Sequence, residues 1–132
     1  MNGASQLRLR CPAQPRSVAP LRHALSAFLE ALGFQRDTID DVTTAAGEAL
    51  ANAVEHAYRT GSEPARFVEL YARIAHGKLA VDVSDHGAFV EREPLPGRGF
   101  GLLIIRAVAP QIRIDASHGT SVRMRFAIPP KS

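Results

Sequence analysis

The chain of 132 residues predicts an α+β sandwich: a mixed, mostly antiparallel sheet with helices on one face. Two observations carry this reading. Segments with period-two alternation come in neighbouring pairs separated by short turn sequences, so hairpins lie side by side and no right-handed β-α-β crossover is needed. Two segments with helical spacing follow one another with no strand between them, giving the order β-α-α-β-β-α-β-β.

Each element has its own local reason. Gln6-Leu7-Arg8-Leu9-Arg10 alternates apolar and polar residues, and Pro12 and Pro15 end it, as suits an edge strand. Leu21, Leu25, Phe28, Leu29 and Leu32 recur at helical spacing over 18–32, with Pro20 tolerable in the first turn and Gly33 as the stop. A second helix is expected from Asp37, as N-cap with Asp40 in the capping-box position, to Thr60-Gly61. Its apolar face is Ile39, Val42, Ala45, Ala46, Ala49, Ala53 and Ala57. Small side chains let a helix lie close to a sheet and leave the stripe Thr44, Glu48, Asn52 and His56 along one edge.

Strands over 67–75 and 78–84 meet at His76-Gly77, a tight hairpin turn. Continuing the period-two count through Leu79, Val81 and Val83 puts Asp85 on the inward side, toward the helix layer. The stretch 86–98, broken by Gly87, Pro94, Pro96 and Gly97, reads as a lid, and a third helix is expected from near Gly99 to Pro110. A last hairpin turns at His118-Gly119. Ile112 and Ile114 point inward in its first strand, as do Val122, Met124, Phe126 and Ile128 in its second, where Arg123 and Arg125 alternate with them.

Composition bounds the function. With 45% hydrophobic and 22% charged residues the chain reads as one soluble domain, 1–132, large enough to hold its own core. Cys11 is the single cysteine, which excludes an internal disulfide or a cysteine-built zinc cluster and points to a reducing, cytoplasmic setting. The longest aliphatic run, Leu102 to Ile105, is far short of the roughly 20 apolar residues of a membrane span, and the first residues lack a signal-peptide pattern. Sixteen Lys+Arg against thirteen Asp+Glu leave a net charge of +3. Lysine occurs only at Lys78 and Lys131, so the excess is arginine and suits an anionic partner.

Three segments carry chemistry. Glu48 and Asn52 stand four apart, one above the other on the second helix. That spacing alone fits a solvated polar stripe equally well, yet Asn is a poor residue inside an alanine-rich helix. Its amide oxygen suits a hard cation such as Mg²⁺, which takes one or two protein oxygens and completes its shell with phosphate and water. Glu48, one turn away, is then a candidate base. Asp85 before Gly87 fits a strand running into a turn. It also fits a carboxylate that accepts from the exocyclic amino group of adenine, with a glycine that lets the ring approach the backbone. Gly97, Gly99 and Gly101 match neither the phosphate loop, since no Lys follows, nor the dinucleotide fingerprint, since Leu102 stands where a glycine is required. They remain either a hinge or a loop whose amides suit phosphate at a helix start.

Taken together and in this order, the three segments resemble the GHKL ATPase superfamily over nearly the whole chain. Glu48-Ala-Leu-Ala-Asn52-Ala-Val-Glu-His-Ala-Tyr58 and Gly97-Arg-Gly-Phe-Gly-Leu-Leu-Ile-Ile-Arg106 look like the small anti-sigma-factor serine kinases. The resemblance implies a Bergerat-type ATP-binding fold with its lid near 86–100, ATP and Mg²⁺ as cofactors, and Asn52 as the magnesium ligand. It further implies Glu48 as catalytic base, Asp85 and Gly87 at the adenine, Gly97, Gly99 and Gly101 on the phosphate side, and Thr120 in the last nucleotide-binding element. Arg22 stands where the family places a partner-contacting arginine. The expected partners are a sigma factor, which the domain sequesters, and an anti-anti-sigma antagonist, which it phosphorylates; the domain is expected to act as a homodimer and to bind neither nucleic acid nor membrane. One departure is that Ala88 and Phe89 follow Gly87 where the family usually has a second glycine. It keeps open an ATP-binding interaction module without kinase activity. A nucleic-acid-binding domain built on Arg8, Arg10, Arg123 and Arg125 is disfavoured by the aromatic content of 6% and the absence of Trp.

Overall fold

The computed structural model describes residues 6–60, 67–85, 111–115 and 120–128. Among these, β1 (Gln6–Pro12) is followed by a 3₁₀ turn (Pro15–Ser17), α1 (Val18–Ala31) and α2 (Arg36–Thr60). Four further strands follow among the described residues: β2 (Phe67–Ala75), β3 (Lys78–Asp85), β4 (Gln111–Asp115) and β5 (Thr120–Ala127). The sheet order is β1-β2-β3-β5-β4, and all four pairings are antiparallel, the limiting case of the mostly antiparallel sheet expected. The expected third helix, the lid at 86–98 and the His118-Gly119 turn lie outside the described residues.

One face of the sheet is apolar and carries the helices. Val68, Leu70 and Ala72 of β2, Leu79, Val81 and Val83 of β3, and Val122, Met124 and Phe126 of β5 are buried there against Leu21, Leu25 and Leu29 of α1 and the inner face of α2. Full burial of one such leucine contributes about 1.5–3 kcal/mol. Leu7, Leu9 and Cys11 of edge strand β1 pack at the border of this core, with alternation as the sequence predicts.

Local chemistry sets the boundaries. At the end of α1, Gly33 adopts φ +89°, the Gly33 N–H donates to the Glu30 carbonyl, and the Phe34 N–H donates to the Leu29 carbonyl. That pair of bonds satisfies carbonyls the helix would leave orphaned, and it needs a residue tolerant of positive φ. In the β2–β3 hairpin His76 and Gly77 both have positive φ, the pattern that matches strand twist. The buried Ser17 hydroxyl donates to the Pro12 carbonyl at 2.7 Å and ties β1 to the start of α1.

Two expectations are corrected. Asp37 is not the N-cap of α2: the Ile39 N–H donates to the Gln35 carbonyl, so the helix begins at Arg36 and Asp37 sits within the first turn, where its charge suits the helix dipole. Arg36 is held in the helix by ion pairs to Glu30 at 2.6 Å and to Asp40 at 3.5 Å. Ile128 does not extend the inward row of β5; the strand ends at Ala127 and Ile128 is exposed.

Candidate functional site

Helix α2 meets the sheet through its smallest side chains. Ala45, Ala46, Ala49 and Ala53 are buried, joined by Ile39, Val42, Leu50 and Val54. The neighbouring stripe is not a uniformly wet face. Thr44 is exposed, whereas Glu48 and Asn52 further along are half-buried, as is Glu55. A purely solvated stripe would stay exposed along its length. Here the polar residues run from solvent into a partly enclosed edge, where Asn is retained despite its cost in helix propensity.

Asp85 is the last residue of β3 and is 1% exposed, on the inward side with Leu79, Val81 and Val83 as the alternation predicts. Among the described residues, Asp85 and Ser17 are the buried polar side chains. Strand register sets Asp85 directly across from Val68 of β2 and Thr120 of β5. Thr120 and Asp85 are 35 positions apart in the chain, so only the β3–β5 pairing makes them neighbours. One step along, and on the opposite face, the Ser84 and Ser121 hydroxyls lie 3.2 Å apart. Gly87, Gly97, Gly99 and Gly101 lie outside the described residues.

The donor chemistry fits a magnesium nucleotide. Asn52 supplies a neutral oxygen and Glu48 a carboxylate on the same half-buried helix edge, and Asp85 is an acceptor at a strand end in the apolar layer. Among the described residues no group of three or more His, Cys, Asp or Glu is placed to hold a metal, and a magnesium ion ordinarily takes only one or two protein oxygens beside phosphate and water.

Arg22 stands on the exposed side of α1, and its side chain crosses onto α2 at Gly47. A Cβ at position 47 would come within 3.1 Å of Arg22 Cδ and 3.5 Å of Arg22 Nη1. Gly47 is therefore the seat that lets the arginine lie against the helix, one residue before Glu48. The sequence signal was present: a glycine in a helix interior costs about 1 kcal/mol relative to alanine and calls for a reason. Gly47→Ala should leave stability unchanged or raise it by up to about 1 kcal/mol, because helix propensity improves and an exposed arginine can move aside. It should also displace Arg22. Urea denaturation checks this; a loss of more than about 1 kcal/mol would show that Arg22 cannot move aside.

Residues 11–126 match the histidine kinase-like ATPase domain family. Serine-protein kinase RsbW of Bacillus subtilis is 27% identical over 139 residues, covering 93% of this chain and 86% of that protein. The RsbW of Oceanobacillus iheyensis is 24% identical over 140 residues, covering 94% and 87%. Among solved structures, that of the RsbU and RsbW domains of Rv1364c from Mycobacterium tuberculosis superposes with a TM-score of 0.74 at 24% identity. It covers 96% of this chain and 33% of that longer one, a likeness of fold. Among the described residues no helix is long and apolar enough to cross a membrane. With the family match spanning all but the ends of the chain, and the α+β fold and the Glu48–Asn52 helix in place, the protein belongs to the histidine kinase-like ATPase family, and its relatives of near-equal length are serine-protein kinases.

Proposed function

We propose that this domain is a cytoplasmic anti-sigma factor with ATP-dependent serine/threonine kinase activity, which sequesters a sigma factor and phosphorylates an anti-anti-sigma antagonist. One observation carries the reading: a half-buried Glu48–Asn52 pair on α2 occurs together with a buried Asp85 in register with Thr120, in a chain that matches serine-protein kinases over more than nine-tenths of its length. In this reading Asp85 accepts a hydrogen bond from the adenine amino group, with Gly87 and Thr120 beside the base. Gly97, Gly99 and Gly101 approach the phosphates, Asn52 presents its amide oxygen to magnesium, and Glu48 takes the proton of the attacking hydroxyl. Bound magnesium supplies charge neutralisation on the phosphates. In such a transfer, positioning and electrostatics account for most of the rate. Arg22, seated on Gly47, is the partner-contacting residue, and the active form is a homodimer.

The test is transfer of labelled γ-phosphate from ATP to the antagonist, run beside sigma-factor capture with and without Mg-ATP. Capture of the sigma factor, phosphorylation of the antagonist on Ser or Thr, and release of the sigma factor by unphosphorylated antagonist are the expected results. Failure to bind either partner would remove the reading. For Asn52→Ala, affinity for Mg-ATP should fall by about tenfold, while affinity for metal-free ADP barely changes, since the amide is lost from the cation's shell and not from the base pocket. Calorimetry with both ligands separates the two; equal weakening would make Asn52 a structural residue.

A further inference from the structure

The face of the sheet turned away from the helices is built from arginine. Arg8, Arg10, Arg73, Lys78, Arg123 and Arg125 alternate outward on β1, β2, β3 and β5, against the carboxylates Glu69 and Asp82 among the described residues of those strands. This excess is larger than the net +3 of the whole chain, so the rest of the protein is slightly acidic and the basic character belongs to one surface. The existing pairs do not neutralise it. Asp82 is shared between Arg73 at 2.9 Å and Arg125 at 3.0 Å, which leaves that trio cationic. Ala80, on the same outward row and fully buried, is the register partner of both arginines, and its small side chain lets them cover it and reach Asp82. Arg10 and Arg123 are exposed, and Arg8 is 57% exposed beside Glu69 at 3.4 Å.

The rings on this face orient the charges. The Arg8 and Arg73 guanidiniums lie over the Tyr71 ring, at 4.0 and 4.4 Å from its centroid, and Arg10 lies over Phe67 at 4.9 Å. A guanidinium held on a ring has its planar fork of donors pre-set, and a fork of that shape matches carboxylate bidentately. The same stacking argues against single-stranded nucleic acid, because the Tyr71 ring is already occupied by two guanidiniums and offers bases no platform. Duplex DNA is disfavoured by shape: a five-stranded sheet is on the order of 20 Å across, too wide for a major groove of about 12 Å. Like charge disfavours a second copy seated face to face.

We propose that the outer sheet face is a docking surface for an acidic segment of a partner protein, separate from the α1–α2 side that carries Arg22 and the nucleotide residues. The full chain is titrated with a fluorescein-labelled Glu-rich peptide, a single-stranded oligodeoxynucleotide of equal charge and phosphatidylglycerol vesicles. The peptide should bind most tightly, with affinity falling as salt rises. Arg10→Glu/Arg123→Glu should weaken it by about tenfold or more, and Arg16→Glu, an exposed arginine off this face, should leave it unchanged. If the double variant melts early, Arg10→Gln/Arg123→Gln takes its place and must weaken binding in the same direction. Tighter binding of the oligonucleotide or the vesicles, equal loss in Arg16→Glu, or no peptide binding at low salt overturns the proposal. So does a dimer in sedimentation that the double variant dissociates, which would assign the face to a second copy. ATP binding is untouched by either result, so this surface and the kinase reading stand or fall separately.

Discussion

Glu48→Gln is expected to reduce phosphate transfer to the antagonist by about 10²–10⁴ while ATP and sigma-factor binding stay near wild type. Gln keeps the length and helix propensity of Glu, so α2 should fold as before, and the half-buried position asks only for a side chain of the same size. The variant cannot accept the hydroxyl proton, so the loss falls on the chemical step and should appear in kcat with little change in KM for ATP. Single-turnover transfer of labelled phosphate, with variant and wild type at matched concentration, reads it directly. A variant that transfers at the wild-type rate would end Glu48's assignment as base. Wild-type protein that binds both partners and transfers no phosphate would favour the interaction module without kinase activity, with Phe89→Gly as the first substitution to try.

The second large effect concerns the base. Wild-type protein should bind ATP in clear preference to GTP, because a carboxylate accepts from the adenine amino group and offers no donor to the guanine carbonyl at the corresponding edge. Asp85→Asn should lower ATP affinity by about 10- to 100-fold, the value of a hydrogen bond to a charged group in a buried setting. It should also erase most of the preference, since an amide can turn its donor toward guanine. The substitution is close to isosteric, which matters for a residue that is 1% exposed between β2 and β5. Calorimetry with both nucleotides, beside a thermal melt to show that the variant is folded, decides it. Equal wild-type affinity for ATP and GTP, or binding of neither at millimolar nucleotide, would remove Asp85 as the adenine reader.

Much of this was legible in the chain because it depends on local rules. Period-two alternation marked β2, β3 and β5 and the inward side of Asp85, since a strand's faces follow from counting. Helical spacing and Gly33 marked α1 and its end. The alanine face of α2 and the Glu48–Asn52 spacing were readable for the same reason. The start of α2 was misplaced by two residues because Asp37 has the chemistry of a cap, whereas the first helical hydrogen bond runs from the Ile39 N–H to the Gln35 carbonyl and leaves Asp37 inside the first turn. Other features were decided only by the tertiary structure. The strand order β1-β2-β3-β5-β4 depends on the β3–β5 pairing, which closes a long loop and leaves no local signature. That pairing alone brings Thr120 to Asp85 and Arg125 to the Asp82 already held by Arg73. Gly47 was passed over in the sequence, and its meaning depends on α1 lying against α2 so that Arg22 rests on it. Individual arginines could be counted from the sequence. Their gathering on one face, four strands wide, required the register that sets Arg8 beside Tyr71 and Arg123 beside Asp82. Charge is a property of residues, whereas a charged surface is a property of the packing that turns most of the aliphatic side chains of these strands toward the helices.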